Sequence, residues 1–346
     1  MFIVQDDLFE RLISFENIYS AYLKSRKGKR YLDYVLRFEK NLEQNLLSIQ
    51  RDLKNETYVH GSYKEMIVCD SKKRLIKVAP FRDRIVHHAI CNIIEPIIDK
   101  KFIHDSYACR KNKGTHKAIN RLQSFLRKKD TTFCLQCDVS KYFQSIDHKT
   151  LFRLCQKKIT NQKILLLLAK IINSSHDYVF INQEEVEQRK GIPIGNLTSQ
   201  LFANLYLNEL DQFIKHQIKT KYYLRYMDDF ILLAKNKLSL NQAKLKIIDF
   251  LRNKLNLALH PKKVNLFPTN KGINFLGYVI HQTYKLLRKT TVLRFIRRTK
   301  TYKHELKRGQ ISKKEIQESI TSWKSYANKA NTYKLQQSLN KKLEIT

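Results

Sequence analysis

Two adjacent carboxylates, Asp228 and Asp229, stand between the apolar runs Tyr223-Leu224 and Phe230-Ile231-Leu232-Leu233, and a third, Asp138, ends a similar stretch far upstream. Ionised carboxylates are rarely buried without a partner, so Tyr226-Met227-Asp228-Asp229 reads as a hairpin bend carrying metal ligands. If Thr131 to Val139 and Tyr222 to Ala234 are neighbouring antiparallel strands, the three carboxylates converge at one end of a sheet. Held together they repel unless divalent cations neutralise them, and Mg²⁺ takes one or two protein carboxylates plus substrate phosphate oxygens. Two such ions about 3.5 to 4 Å apart stabilise the attacking and leaving oxygens of an in-line phosphoryl displacement. An exposed turn is the plainer alternative for an Asp-Asp pair.

The charge balance points to a polyanion. The 346 residues include 66 Lys+Arg against 31 Asp+Glu, a formal net charge of +35, and residues 281 to 346 carry 17 basic and 4 acidic side chains. Each phosphate neutralised releases condensed counterions, so a nucleic acid is the expected partner; a solvated lysine-rich surface is the alternative. A hydrophobic share of 42% with 18 Tyr and 18 Phe supports a sizeable core and excludes global disorder. The N-terminus turns acidic at Asp6-Asp7 before a secretory segment can form, and the longest apolar run, Ile164 to Ala169, is too short for a bilayer, so a cytoplasmic protein without membrane contact is expected. Six Cys include a CxxC pair, Cys134 and Cys137, with no second pair to complete a zinc site; Phe133, Leu135 and Cys137 instead alternate as one strand face.

Along the chain, residues 1 to 70 read as mostly helical, with a helical stripe from Tyr31 to Leu53. A strand at Arg74 to Pro80 precedes a helix through Ile85 to Ile98, and Thr131 to Val139 is a buried strand followed by a helix that Ser145 or Asp147 can cap. Tyr178 to Gln188 reads as a hairpin turning near Asn182-Gln183, Asn196 to Ile218 as a long helix and Leu240 to Leu255 as another. Asn274 to Ile280 reads as one strand, and basic helices follow from about residue 290. Strands set among helices in no alternating order predict an α+β fold.

The series Asp138-Val139-Ser140-Lys141-Tyr142-Phe143, Gly191 to Gln200, Tyr226 to Asp229, His260-Pro261-Lys262-Lys263 and Phe275-Leu276-Gly277-Tyr278 resembles, in order and separation, the sequence blocks of reverse transcriptases. A lone YxDD recurs by chance; five ordered blocks do not. The resemblance runs from about residue 70 to a thumb-like stretch at Ser322 to Leu335. It implies a right-hand polymerase with fingers, an antiparallel-sheet palm and a helical thumb. The expected division is an N-terminal helical extension and start of the fingers at 1–70, fingers at 71–130, palm at 131–285 with 145–190 partly fingers, and a basic thumb at 286–346.

In the fourth block most of that family carry Gln-Gly-x-x-x-Ser-Pro, whereas this chain has Ile194-Gly195-Asn196-Leu197-Thr198-Ser199-Gln200. Ile for Gln and Gln for Pro resemble the reverse transcriptases of diversity-generating retroelements, prokaryotic or phage-encoded enzymes that copy a template RNA into cDNA with errors at adenines. That family works with a small basic accessory protein. Other expectations are a group II intron-type reverse transcriptase and, in a different class, a catalytically idle RNA-binding protein that keeps the fold. Ser325 and Lys329 stand where relatives often have Gly and His, which puts local thumb contacts in question.

The resemblance implies that Asp138, Asp228 and Asp229 are the catalytic carboxylates, with Val139 beside Asp138 in the metal set, two Mg²⁺ ions as cofactors and Mn²⁺ as a substitute. Template RNA, a DNA or RNA primer and dNTPs are the implied partners. Phe143 matches an aromatic ring that closes against a nucleotide 2′-hydroxyl; from sequence alone it is also a core aromatic. Arg74, Lys77, Arg82 and Arg84 surround a predicted strand and turn, and Arg74, Lys77 and Arg84 are candidates for clamping the triphosphate or, equally, for contacting template backbone. Lys263 can protonate leaving pyrophosphate or make one more phosphate contact. Ile194, Gly195 and Gln200 fall where the incoming base pair is checked. Replacing an amide there by a branched apolar chain removes hydrogen bonds that hold a nucleotide in register, which fits low fidelity; ordinary packing beneath a Gly turn is the alternative. Lys113, in Asn112-Lys113-Gly114-Thr115-His116-Lys117, can meet template phosphate, and Tyr226, Met227, Gly277 and Trp323 fall at implied primer and template positions. His87 and His88 read as packing or surface residues.

Overall fold

The fold is described from a computed structural model covering residues 7–69, 73–174, 177–181 and 184–342. Four helices come first: α1 (Asp7–Ile13), α2 (Phe15–Arg26), α3 (Asp33–Glu39) and α4 (Leu42–Lys54). The stripe expected to run unbroken from Tyr31 to Leu53 is two helices, because Asn41 leaves helical geometry at φ −127° and ψ 50° and the Asn45 side-chain amide donates across the break to the Phe38 carbonyl. Phe38, just before the break, packs edge-on to Phe81, ring centroids 5.2 Å apart.

β1 (Lys64–Cys69) and β2 (Lys73–Val78) form an antiparallel ribbon, with Met66 opposite Ile76. β1 lies in a stretch that reads as helical. Met66 and Ile67, on opposite faces, are both exposed, so the strand lacks the one-sided burial that makes a strand legible. α5 (Phe81–Asp99) buries Ile85, Val86, Ala89, Ile90, Ile94 and Ile98 against α1, α2 and a later helix. α6 (Thr115–Leu126) begins after Gly114, whose φ of +101° belongs to glycine.

β3 (Phe133–Asp138) leads into α7 (Tyr142–Ser145), α8 (His148–Gln156), α9 (Gln162–Asn173), the ribbon β4 (Asp177–Ile181) and β5 (Glu184–Gln188), and α10 (Leu197–Gln212). Asp147, rather than Ser145, caps α8 by accepting from the Thr150 amide. The hairpin expected near Asn182-Gln183 is present as β4 and β5; those two turn residues lie outside the described ones. α10 passes into a π-helical turn at Phe213–Gln217, so the long helix expected to Ile218 changes its winding there.

β6 (Tyr222–Tyr226), β7 (Asp229–Ala234), α11 (Lys237–Leu255) and β8 (Asn265–Pro268) complete a four-stranded antiparallel sheet in the order β6-β7-β3-β8. Both its faces are covered. Leu135, Cys137, Phe230 and Leu232 join one core with α10 and α11, while Cys134, Ile231 and Leu233 join a second with α6. Two-sided burial explains why β7 reads as a continuous apolar run. It also places Cys134 and Cys137 on opposite faces, so they cannot hold one metal ion together.

β9 (Ile273–Phe275), β10 (Tyr278–Ile280) and β11 (Lys285–Leu287) form a small meander. The single strand expected over Asn274 to Ile280 is a hairpin, because Leu276 and Gly277 both take positive φ, +49° and +89°, the signature of a two-residue I′ turn. Three basic helices follow: α12 (Lys289–Lys307), α13 (Lys313–Ala327), opened by a Ser312–Glu315 capping box, and α14 (Tyr333–Lys342). Among the described residues no helix is long and apolar enough to cross a membrane.

Candidate active site at the end of the four-stranded sheet

The register of the sheet brings the carboxylates together. Asp138, the last residue of β3, lies directly opposite Asp229, the first of β7, and Asp229 in turn faces Tyr226 across the β6–β7 turn. Asp228 occupies that turn after Met227, whose φ of +58° is unusual for a residue with a side chain. The Val139 amide donates to the Asp228 carbonyl (3.2 Å), and the Asp138 carbonyl accepts from the His260 amide (2.8 Å).

Charge at this corner is only partly relieved. Burial, then the Asp138 and Asp228 charges, push Asp229 up to about 7, against a Gln136 hydrogen bond and the Lys263 charge. Burial and Asp138 likewise raise Asp228, opposed by Lys263 and Arg74. Lys263 supplies the counter-charge in closest contact, its Nζ 2.7 Å from Asp138 Oδ2. Among the described residues no group of three or more His, Cys, Asp or Glu is disposed to hold a metal unaided. A carboxylate pair completed by phosphate oxygens is the usual Mg²⁺ arrangement, and half-buried carboxylates crowded by one another fit such an ion.

Of the nucleotide-binding candidates, Arg74 on β2 is exposed and its charge reaches Asp228. Lys77 lies 3.7 Å from Glu65 across the ribbon. Gly195 takes φ +119° directly beneath β2: a Cβ there would approach Ile76 Cγ2 to 3.1 Å. Ile194 is half-buried beside it, as is Gln200 in the first turns of α10. Phe143 is half-buried against the main core, edge-on to Tyr142. Arg84 is not brought into this group. Its guanidinium stacks over Tyr34 at 4.5 Å and donates to that hydroxyl, which binds it to the N-terminal helices. Arg82 is engaged similarly with Asp52.

Among the primer and template candidates, Lys113 donates to the His104 carbonyl (2.7 Å) and spans its own loop. The Tyr226 hydroxyl bonds Thr115 Oγ1 at the start of α6 (3.1 Å). Gly277 meets the last helices: a Cβ would lie 2.2 Å from the Tyr326 hydroxyl. Trp323 stacks face to face on Phe295 at 3.9 Å.

Sequence reading missed one group. Arg225, fully buried, donates Nε and Nη2 to the two oxygens of buried Asp211 (2.8 and 2.6 Å) and Nη1 to Asn204 Oδ1 (3.1 Å) and the Met227 carbonyl (3.0 Å). Burial opposes its charge, and Asp211 outweighs that, holding the guanidinium above its ordinary range. A signal existed: Asn204, Asn208 and Asp211 form a polar stripe at helical spacing among buried apolar neighbours, and Arg225 interrupts an apolar strand.

An antiparallel sheet with paired carboxylates at a β-turn, flanked by helices on both faces and a basic helical end, is the architecture of a right-hand polymerase. Residues 63–280 match the family described as "Reverse transcriptase (RNA-dependent DNA polymerase)", and the chain belongs to that family. It is 25% identical over 281 residues to Protein YkfC of Escherichia coli (strain K12), covering 69% of this chain and 73% of YkfC. It is 24% identical over 392 residues to the group II intron-encoded protein LtrA of Lactococcus lactis subsp. cremoris, covering 91% of this chain and 61% of LtrA. In structure it resembles the apo telomerase of Candida tropicalis truncated from its C-terminal domain, with a TM-score of 0.52 at 14% identity, covering 71% of this chain and 60% of that one.

Proposed function

We propose that this chain is an RNA-directed DNA polymerase that extends a DNA or RNA primer with dNTPs on a template RNA. The observation that carries it is the register pairing of Asp138 with Asp229 beside Asp228, at the sheet end where Lys263 and Arg74 supply positive charge. Asp138 and Asp228 would hold Mg²⁺, with Asp229 assisting and Val139 adjoining. The ions, when bound, neutralise charge on the attacking and leaving oxygens. The primer 3′-oxygen attacks the α-phosphorus, the bond to the β-phosphate oxygen breaks, and pyrophosphate leaves. Lys263 stands within reach of that corner to give the departing oxygen a proton, and Arg74 to offset phosphate charge. Residues 71–130 serve as fingers, 131–285 as palm with 145–190 partly fingers, and 286–346 as a basic thumb behind a helical extension at 1–70. Extension of a labelled primer on RNA with Mg²⁺ and dNTPs tests this. A chain that binds the hybrid and incorporates nothing, with or without an added small basic protein, would support the idle RNA-binding reading instead.

Within the family, two placements each rest on their own observation. The match to LtrA across 91% of this chain supports a group II intron-type lineage. Ile194, next to the Gly195 that passes under Ile76 of the ribbon, together with Gln200 where most of the family carry Pro, supports a diversity-generating enzyme: at Ile194 an apolar side chain where an amide would hold the nucleotide loosens discrimination between base pairs. That enzyme would make adenine-directed errors and work with a small basic accessory protein. Sequencing the cDNA separates the two, since errors spread evenly over the four template bases exclude the diversity-generating reading.

A further inference from the structure

Both peptide groups that flank the Asp228 Cα are tied down. The carbonyl before it, of Met227, accepts from Arg225 Nη1 (3.0 Å), and its own carbonyl accepts from the Val139 amide (3.2 Å). The direction in which the Asp228 carboxylate leaves the backbone is therefore fixed from two sides, one of them a side chain. Met227 needs such a hold, because a left-handed backbone is unfavourable for an L-residue with a side chain.

Arg225 is itself immobile. Its fork is filled by Asp211 and Asn204, its amide donates to the Asp105 carbonyl (3.0 Å) and its carbonyl accepts from the Tyr107 amide (3.0 Å). Asp211 also accepts from the Tyr223 hydroxyl (2.6 Å), and Asn204 donates to the Ala108 carbonyl (2.8 Å). Stability does not explain this arrangement, because a buried ion pair is commonly matched or bettered by apolar side chains of the same volume. What apolar side chains cannot supply is a donor to the Met227 carbonyl.

We infer that Arg225 is a positioning residue: held by Asp211 and Asn204, it sets the Met227–Asp228 turn so that the Asp228 carboxylate is presented to a divalent cation. The inference takes Asp228 as a metal ligand, as proposed above. Lysine at this position keeps a charge beside Asp211 but has no planar fork to span Asp211 and the Met227 carbonyl together.

The test uses the full chain with Arg225→Lys, and a second variant, Tyr223→Phe/Asp211→Leu/Arg225→Met, that replaces the buried ion pair and the Tyr223 hydroxyl by apolar groups and leaves Asn204 bonded to the Ala108 carbonyl. Mn²⁺ binding is followed by electron paramagnetic resonance without RNA or dNTP, with Asp228→Ala as the control that identifies the signal. Primer extension gives kcat and the dNTP KM separately. In a variant that melts as the parent does and binds RNA equally well, Mn²⁺ binding is expected to weaken several-fold. kcat is expected to fall about 10- to 100-fold with KM nearly constant, as for a misplaced catalytic group. A folded variant with parental Mn²⁺ affinity and kcat overturns the inference, and so does failure of both variants to fold, which would make Arg225 a structural residue only. If the parent extends no primer the polymerase reading falls, while the Mn²⁺ measurement still decides the role of Arg225.

Discussion

The ammonium of Lys263 lies 2.7 Å from Asp138 Oδ2, so the carboxylate that opens the candidate metal site is already held by a positive charge. A divalent cation held by Asp138, as proposed, would compete with that lysine, and its displacement would free Lys263 for the phosphates. Lys263→Met is therefore expected to lower the Mg²⁺ concentration for half-maximal extension while lowering kcat about 10-fold or more, the scale of a lost general acid. Titrating Mg²⁺ against extension rate in parent and variant checks both. A variant that needs more Mg²⁺, or keeps full kcat, contradicts this competition.

Stability should depend on pH through His87. Burial, together with the charges of His60 and His88, lowers its pKa to about 3, and neither ring nitrogen has a hydrogen-bond partner among the described residues. The folded state therefore refuses a proton that the unfolded chain accepts near pH 6.5. Stability is complete above that pH and is lost as pH falls toward 3, with a slope approaching 1.4 kcal/mol per unit, about one proton's worth. Burial lowers His88 to about 4, and it acts in the same direction. Chemical denaturation between pH 7 and 4 should show a shallower loss in His87→Leu. Equal slopes would show that His87 is not the group responsible.

Gly277 lets the β9–β10 turn approach the Tyr326 hydroxyl of α13 closely. Alanine there would meet the Tyr326 hydroxyl in a left-handed backbone, at a cost of about 1 to 3 kcal/mol. Gly277→Ala should lower the melting temperature and shorten primer extension products. Adding Tyr326→Phe should recover part of the stability, since it removes the contacting oxygen. No recovery in the double variant would place the strain elsewhere.

The sheet and its carboxylates were legible because each left a local mark: charged residues in apolar runs, a hairpin bend, and blocks in a familiar order. What escaped lacked such a mark. β1 is exposed on both faces and shows no alternation, while the break at Asn41 and the turn at Leu276-Gly277 are backbone events of one or two residues inside periodic stretches. The Arg225–Asp211 pair joins residues on different elements that only folding brings together, and Arg84 was assigned by its neighbourhood in sequence whereas its guanidinium faces Tyr34.

The central claim is that the Asp138–Asp228 corner performs nucleotidyl transfer, and Asp228→Ala tests it most directly. Removing a half-buried carboxylate that is crowded by Asp138 should leave the fold intact or raise its melting temperature, because like-charge repulsion and a desolvation cost both disappear. Single-turnover extension of a primer on an RNA template, with parent and variant at saturating Mg²⁺ and hybrid, should then show a loss on the order of 10³-fold or more in the variant, as for removal of a main electrostatic contributor. A folded Asp228→Ala chain that extends primer at the parental rate would contradict the assigned site.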